Sequence, residues 1–306
     1  MTHSKRGAIA LMITLFFIIA ISVSLGIALK QVKSVSTEVS KQKFAMQSSI
    51  LVDDVLNLLK TSPDLEAINS VDTLFIFLSE AAFIPFESSG VKMLIEIKSA
   101  RSKLNINTLV DIKGSALVPN PAKVEALSQY MAHYNVNPSY TDMIVDSMSK
   151  IKADNSYYSD IFNENPYLFR DYIASRKHLE TINDFYAKTY NENTLQKINF
   201  EKLFSFSKQR DSKIDLNYAT KETWRLLLGC DELRAEQLSL GAGAYAVEAD
   251  LGLAPEEILA LHRFNVAYLE MFLDVKVTIQ SAHLSSELRF EYDMSKKKGS
   301  NFVYEI

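Results

Sequence analysis

Residues 8–29 run for 22 positions without a charge or a proline. As a helix rising about 1.5 Å per residue, the run is about 33 Å long, enough to cross a hydrocarbon core of about 30 Å. A buried core helix fits poorly, because the run has no polar face. A secretory signal peptide fits little better. Its apolar core is usually about 7–15 residues, and no small-x-small cleavage site follows here. A retained membrane anchor accounts for the run best. Lys5 and Arg6 precede it, and Lys30 and Lys33 follow it. A short positive N-terminus favours insertion with that end in the cytoplasm. The 47% hydrophobic content of the 306-residue chain thus mixes an apolar stem with a more polar body.

Residues 30–60 contain neither Pro nor Gly. Val32, Val35 and Val39, then Met46, Ile50, Leu51, Val55, Leu58 and Leu59, recur at helical spacing. The pattern predicts a helix continuing from the anchor with one apolar stripe, ended by Thr61-Ser62-Pro63-Asp64. Residues 71–78 are apolar and rich in β-forming types. Residues 91–98 alternate Val91, Met93, Ile95 and Ile97 against Lys92, Glu96 and Lys98, as a half-buried strand does.

Helical patches follow at 121–134, 140–150, 166–174, 181–190, 220–228, 233–240 and 255–264, punctuated by Pro, Asn and Gly. Strand patterning returns at 275–280 and 288–293. Lys296-Lys297-Lys298-Gly299 reads as a solvated connection to a last strand at 301–306. Strands on both sides of a helical block indicate an α+β fold whose sheet is completed by distant segments.

Two short motifs nearly repeat, each basic, apolar, Asn/Asp, apolar, Asn: Lys103-Leu104-Asn105-Ile106-Asn107-Thr108-Leu109 and Lys213-Ile214-Asp215-Leu216-Asn217-Tyr218-Ala219-Thr220. Each alternates aliphatic and Asn/Asp residues, so an extended piece buries one face and the second Asn closes an Asx-type turn. Thr220 with Glu222 after it reads as a helix start. The simplest role for both motifs is structural.

Lys5-Arg6-Gly7 directly before the apolar run resembles the signal of the type IV pilin and pseudopilin superfamily. The resemblance implies a leader at 1–7, cleavage by prepilin peptidase after Gly7, and N-methylation of Ala8. Most members carry Glu at the fifth mature position to pair with a neighbouring subunit. Here that position is Met12. An unpaired carboxylate is costly in lipid, so its absence suits a subunit with no neighbour above it.

With the large body and the two Asn motifs, this resembles the K-type minor pseudopilins of type II secretion, the general secretion pathway protein K family. Residues 142–147 match another segment of that family loosely, without its tryptophan. The resemblance implies a leader at 1–7, a transmembrane helix at 8–29 and an amphipathic helix at 30–60 packed on an antiparallel pilin-like sheet. Residues 71–110 and 266–306 would supply that sheet, and 111–265 an inserted all-α domain. It implies a structural subunit that initiates or caps a periplasmic pseudopilus, anchored in the inner membrane with the body in the periplasm. Implied partners are the I- and J-type minor pseudopilins, prepilin peptidase and the inner-membrane secretion platform. The resemblance also implies calcium, held by loop carboxylates, as an ion such a protein can bind.

Two other readings share parts of this pattern. A minor pilin of a DNA-uptake or type IV pilus system has the same N-terminus. The segment after Thr220 also resembles a helix-hairpin-helix DNA module. Its hairpin, Leu228-Gly229-Cys230-Asp231-Glu232, lacks one glycine and carries two acids that repel phosphate. The formal charge of −4 supplies no basic field, so direct nucleic-acid contact is not expected. The third reading is a membrane-anchored enzyme. Against it, His3, His133, His178, His262 and His283 stand singly, without metal-ligand spacing, and no phosphate loop or nucleophile elbow occurs. The single Cys230 permits no intrachain disulfide. The acidic loops at Asp154, Asn155 and Asp160 and at Asp231 and Glu232 lack EF-hand spacing, and no calcium ligand is assigned.

Overall fold

The computed structural model describes residues 46, 49–88, 91–152, 154–281 and 284–305. The proposed leader, the apolar run at 8–29 and most of the stem lie outside them. Among the described residues no helix is long and apolar enough to cross a membrane.

Helix α1 (49–61) buries Val55 and Leu59 on one stripe. It stops where Ser62 caps a single turn, α2 (Pro63–Glu66), with proline at its first position. Helix α3 (Val71–Glu80) occupies the segment whose composition predicted a strand. An apolar run of this length suits either state by pattern alone. The ends decide it: Ser70 and Thr73 cap each other's backbone N–H groups in a reciprocal box. Leu74, Phe77 and Leu78, spaced i, i+3, i+4, then face the sheet core.

Strands β1 (Phe83–Ser88) and β2 (Val91–Ser99) pair antiparallel. The chain then leaves the sheet for a mostly helical body. Its short strands are β3 (Leu104–Asn105), β4 (Val110–Lys113), β5 (Ala116–Pro119), β6 (Phe204–Ser205), β7 (Ile214–Asp215) and β8 (Val266–Ala267). Its helices are α4 (Pro121–Ala132), α5 (Ser139–Ser147), α6 (Ile161–Glu164), α7 (Arg176–Tyr190), α8 (Phe200–Leu203), α9 (Lys221–Leu228), α10 (Glu232–Ser239) and α11 (Pro255–Leu261).

Side chains cap five of these eight helix starts: Asn120 for α4, Ser175 for α7, Asn199 for α8, Thr220 for α9 and Asp231 for α10. The body is not purely helical as expected. β3 pairs with β6 and β7 with β8, both parallel, and β4 with β5 antiparallel. The helix expected at 166–174 is absent too. Pro166 follows α6, and the chain crosses to Ser175 in turns.

The chain returns through β9 (Phe272–Ser281), β10 (Leu284–Asp293) and β11 (Lys298–Glu305). One five-stranded antiparallel sheet results, in the order β1-β2-β9-β10-β11. β2 pairs with β9, with Ser99 opposite Leu273, 174 positions further along the chain. The fold is α+β.

Two apolar cores follow the same division. One lies between the sheet and α1–α3 and includes Val55, Leu74, Ile95, Val275, Val277 and Phe290. The other fills the helical body around Trp224, Tyr140, Tyr186, Phe204 and Leu127. Phe75 of α3 crosses the division and packs on Gly243. A Cβ built at that glycine would lie 2.7 Å from Phe75 Cγ, and its φ of +81° already disfavours a side chain. Gly243→Ala is expected to cost about 2 kcal/mol. The urea midpoint of unfolding measures it, and an unchanged midpoint would refute the packing argument.

Candidate functional site

The two Asn motifs form a pair of buried hubs. In the first, β3 runs parallel to β6, with Leu104 opposite Phe204 and Asn105 opposite Ser205. The chain then turns through a 3-10 segment, Ile106–Leu109. Asn105 Oδ1 accepts the N–H of Asn107 at 3.3 Å and of Ser207 at 3.2 Å, and its Nδ2 donates to the Ser207 carbonyl at 3.0 Å. Asn107 is fully buried. Its Nδ2 donates to the carbonyls of Ile173 (3.0 Å) and Ser207 (2.9 Å), and its Oδ1 accepts the Ile173 N–H at 2.8 Å. Segments about 66 and 100 residues further along the chain are thereby tied to one turn. Arg210 closes the hub by donating to the Asn107 carbonyl at 3.0 Å.

The second hub repeats the device. β7 runs parallel to β8, with Ile214 opposite Val266 and Asp215 opposite Ala267. Asp215 Oδ1 accepts the Asn217 N–H at 3.0 Å, as Asn105 does for Asn107. Asn217 Nδ2 donates to the carbonyls of Tyr245 (2.8 Å) and Tyr268 (2.7 Å), and its Oδ1 accepts the Tyr245 N–H at 2.9 Å. Tyr245 thus stands where Ile173 stands in the first hub, and Tyr268 where Ser207 does. The hubs are joined: Asp215 N–H donates to the Arg101 carbonyl and Thr220 N–H to the Ser102 carbonyl. These residues organise the interior, and their amides leave no polar group pointing outward to a ligand.

Asp215 differs from Asn105 in carrying a titratable group. Burial pushes its carboxyl up from 3.8 to about 7, against the lowering effect of the Glu270 and Asn217 N–H groups. The folded chain therefore holds this proton more tightly than the unfolded chain. The stabilisation is complete below the unfolded value near 3.8 and is lost as pH rises through 7. Linkage gives a loss of about 2.5 kcal/mol between pH 5 and pH 8 from this residue. Asp215→Asn should remove that slope. The check is the difference in urea stability between parent and variant at the two pH values. A difference that does not change with pH would refute the assignment.

Beneath the hubs, the body meets the sheet at one buried ion pair. Arg101 follows β2, and Glu291 lies on β10. The guanidinium meets the carboxylate at 2.6 and 2.8 Å, with the two side chains 4% and 12% exposed. The guanidinium carbon also sits 3.9 Å from the Phe272 ring centroid. No local sequence pattern marks this pair, whose members lie 190 positions apart.

Other residues singled out from the sequence play local parts. Asp146 is buried on α5, and its Oδ2 accepts both the N–H and the hydroxyl of Ser159 at 2.7 Å. Asp154 accepts the N–H of Ser156, and Asp160 the side-chain amide of Asn163. Asp231 caps α10, and Glu232 pairs with Lys221 at 2.6 Å. A calcium cage needs about six to eight converging oxygens. Among the described residues no three His, Cys, Asp or Glu side chains are placed to hold a metal ion, and these loops do not fit one. α9 and α10 do form a helical hairpin through Gly229 (φ +65°), with the two acids at the start of the second helix. Burial pushes the Cys230 thiol up, which keeps it protonated. Burial pushes His178 down, and its Nδ1 faces the Ala174 N–H. Gly7, Ala8 and Met12 lie outside the described residues.

No protein-family model and no curated protein matches the chain. Among solved structures, the fold resembles that of a chain in the crystal structure of the GspK-GspI-GspJ complex from the enterotoxigenic Escherichia coli Type 2 Secretion System. The identity is 12%, the TM-score 0.51, and the match covers 89% of this chain and 97% of that one. The fold described above, a helical body set between two strands of an antiparallel sheet, is thus similar over most of both chains to that of a chain in the GspK-GspI-GspJ complex.

Proposed function

We propose that this protein is a K-type minor pseudopilin that initiates or caps the pseudopilus of a type II secretion system. The observation that carries the proposal is the placement of the helical body between β2 and β9, in a fold shared along most of both chains with a member of that complex. The N-terminal sequence supports it independently. Lys5-Arg6-Gly7 precedes a run long enough to span a bilayer.

In this reading prepilin peptidase cleaves after Gly7, Ala8 is methylated, and residues 8–29 anchor the chain in the inner membrane with the body in the periplasm. Met12, standing where neighbour-pairing pilins carry Glu, disfavours a subunit above. The helical body then gives the tip its bulk. The work is assembly rather than catalysis, with I- and J-type minor pseudopilins as companions and the inner-membrane platform as motor.

Intact-mass analysis of the membrane form tests the reading. The expected species begins at Ala8 and carries one added methyl group. A membrane species that retains Met1 would overturn it.

A further inference from the structure

Residues 61–90 contain five acids, Asp64, Glu66, Asp72, Glu80 and Glu87, and no Lys, Arg or His. This is the segment that forms α2, α3 and β1. Between those elements lies an open groove of about 440 Å³, within the usual range of about 300–1,000 Å³ for binding clefts. Ile68, Ile76, Phe77 and Ile84 line it, and Asp64 and Glu80 stand at its rim. Ile76 is 54% exposed. Phe86, two residues beyond Ile84 on the same face of β1, is 43% exposed. Glu66 pairs with Lys297. Asp64, Asp72 and Glu80 have no ion-pair partner among the described residues.

An apolar floor with an exclusively acidic rim selects a partner that is apolar at its centre and basic at its margins. The form of the partner is also constrained. β1 is an edge strand, and Pro85 within it has no N–H to offer, so an added strand cannot continue the ladder there. A helix inserting side chains into the groove needs no such ladder.

We propose that the groove between α2, α3 and β1 is the docking surface for a neighbouring minor pseudopilin, which enters as a helix with an apolar stripe flanked by Lys or Arg. The proposal rests on the assembly reading above and names the face used.

Photo-crosslinking tests it in the full-length membrane protein, co-expressed with its candidate I- and J-type companions. A benzophenone amino acid is placed at Ile76 or Phe86, and as controls at Ile151 or Leu259. Those controls are 81% and 70% exposed on the helical body. The expected result is a cross-link to one companion from Ile76 and Phe86 and none from the controls. Asp64→Lys with Glu80→Lys should reduce its yield about tenfold, because like charges would then face each other. Both residues are exposed, so an unchanged unfolding midpoint verifies that the variant is folded. Cross-links only to a second copy of this chain would overturn the proposal. So would co-purification of the companions with no cross-link at the groove, which would leave the assembly reading intact. Failure of the companions to co-purify at all would remove both.

Discussion

Replacing Asn107 with alanine is expected to destabilise the helical body by about 4 kcal/mol or more. In a fully buried site the side chain accepts the Ile173 N–H and donates to the Ile173 and Ser207 carbonyls and, at 3.5 Å, to Asn105 Oδ1. Alanine leaves both Ile173 groups without their hub partner, and each stranded buried group costs about 1–3 kcal/mol. The smaller side chain also leaves a void that water cannot fill easily. Ser207 keeps one bond, from Asn105. Trp224, the single tryptophan, is wholly buried in the same core, so its fluorescence reports this region during urea unfolding. Asn217→Ala should act similarly through Tyr245 and Tyr268. A shift below about 1 kcal/mol in both variants would mean the hubs do not hold the body together.

Glu291→Gln should cost about 3–5 kcal/mol, because it strands the Arg101 charge in a buried site. The pair itself need not be stabilising. Replacing both partners with methionine should recover most of the loss, since burial of two charges and their attraction largely offset each other. A double-mutant cycle on the urea midpoint separates the two cases. Equal losses in the single and double variants would refute the account.

The parts of the fold that were legible in the sequence are those whose signal is local. Strict alternation at Val91, Met93, Ile95 and Ile97 located β2, and alternation at Leu288, Phe290 and Tyr292 located β10. Thr220 and Glu222 located the start of α9. The run at 71–78 misled because every residue in it except Asp72 and Thr73 is apolar, and the deciding signal lay just outside, in Ser70 facing Thr73.

The Asn motifs were recognisable as turns from their own residues. Their partners were not, because Ile173, Ser207, Tyr245 and Tyr268 contribute backbone groups that any residue could supply. Arg101 and Glu291 lie 190 positions apart, and no periodicity links them. The parallel pairs β3–β6 and β7–β8 were missed for a related reason. Two-residue strands carry too few side chains to show a pattern.

The placement of the helical body has a mechanical consequence. The chain leaves the sheet at Ser99 and re-enters opposite it at Leu273, so exit and entry are one strand spacing apart, about 5 Å. A pull applied through α1 loads the helix-on-sheet core, where β2 and β9 are cross-linked along their length and resist it in shear. The 172 residues between these strands hang outside that load path as a side branch. Tension on the stem should therefore leave the branch folded until the core itself yields.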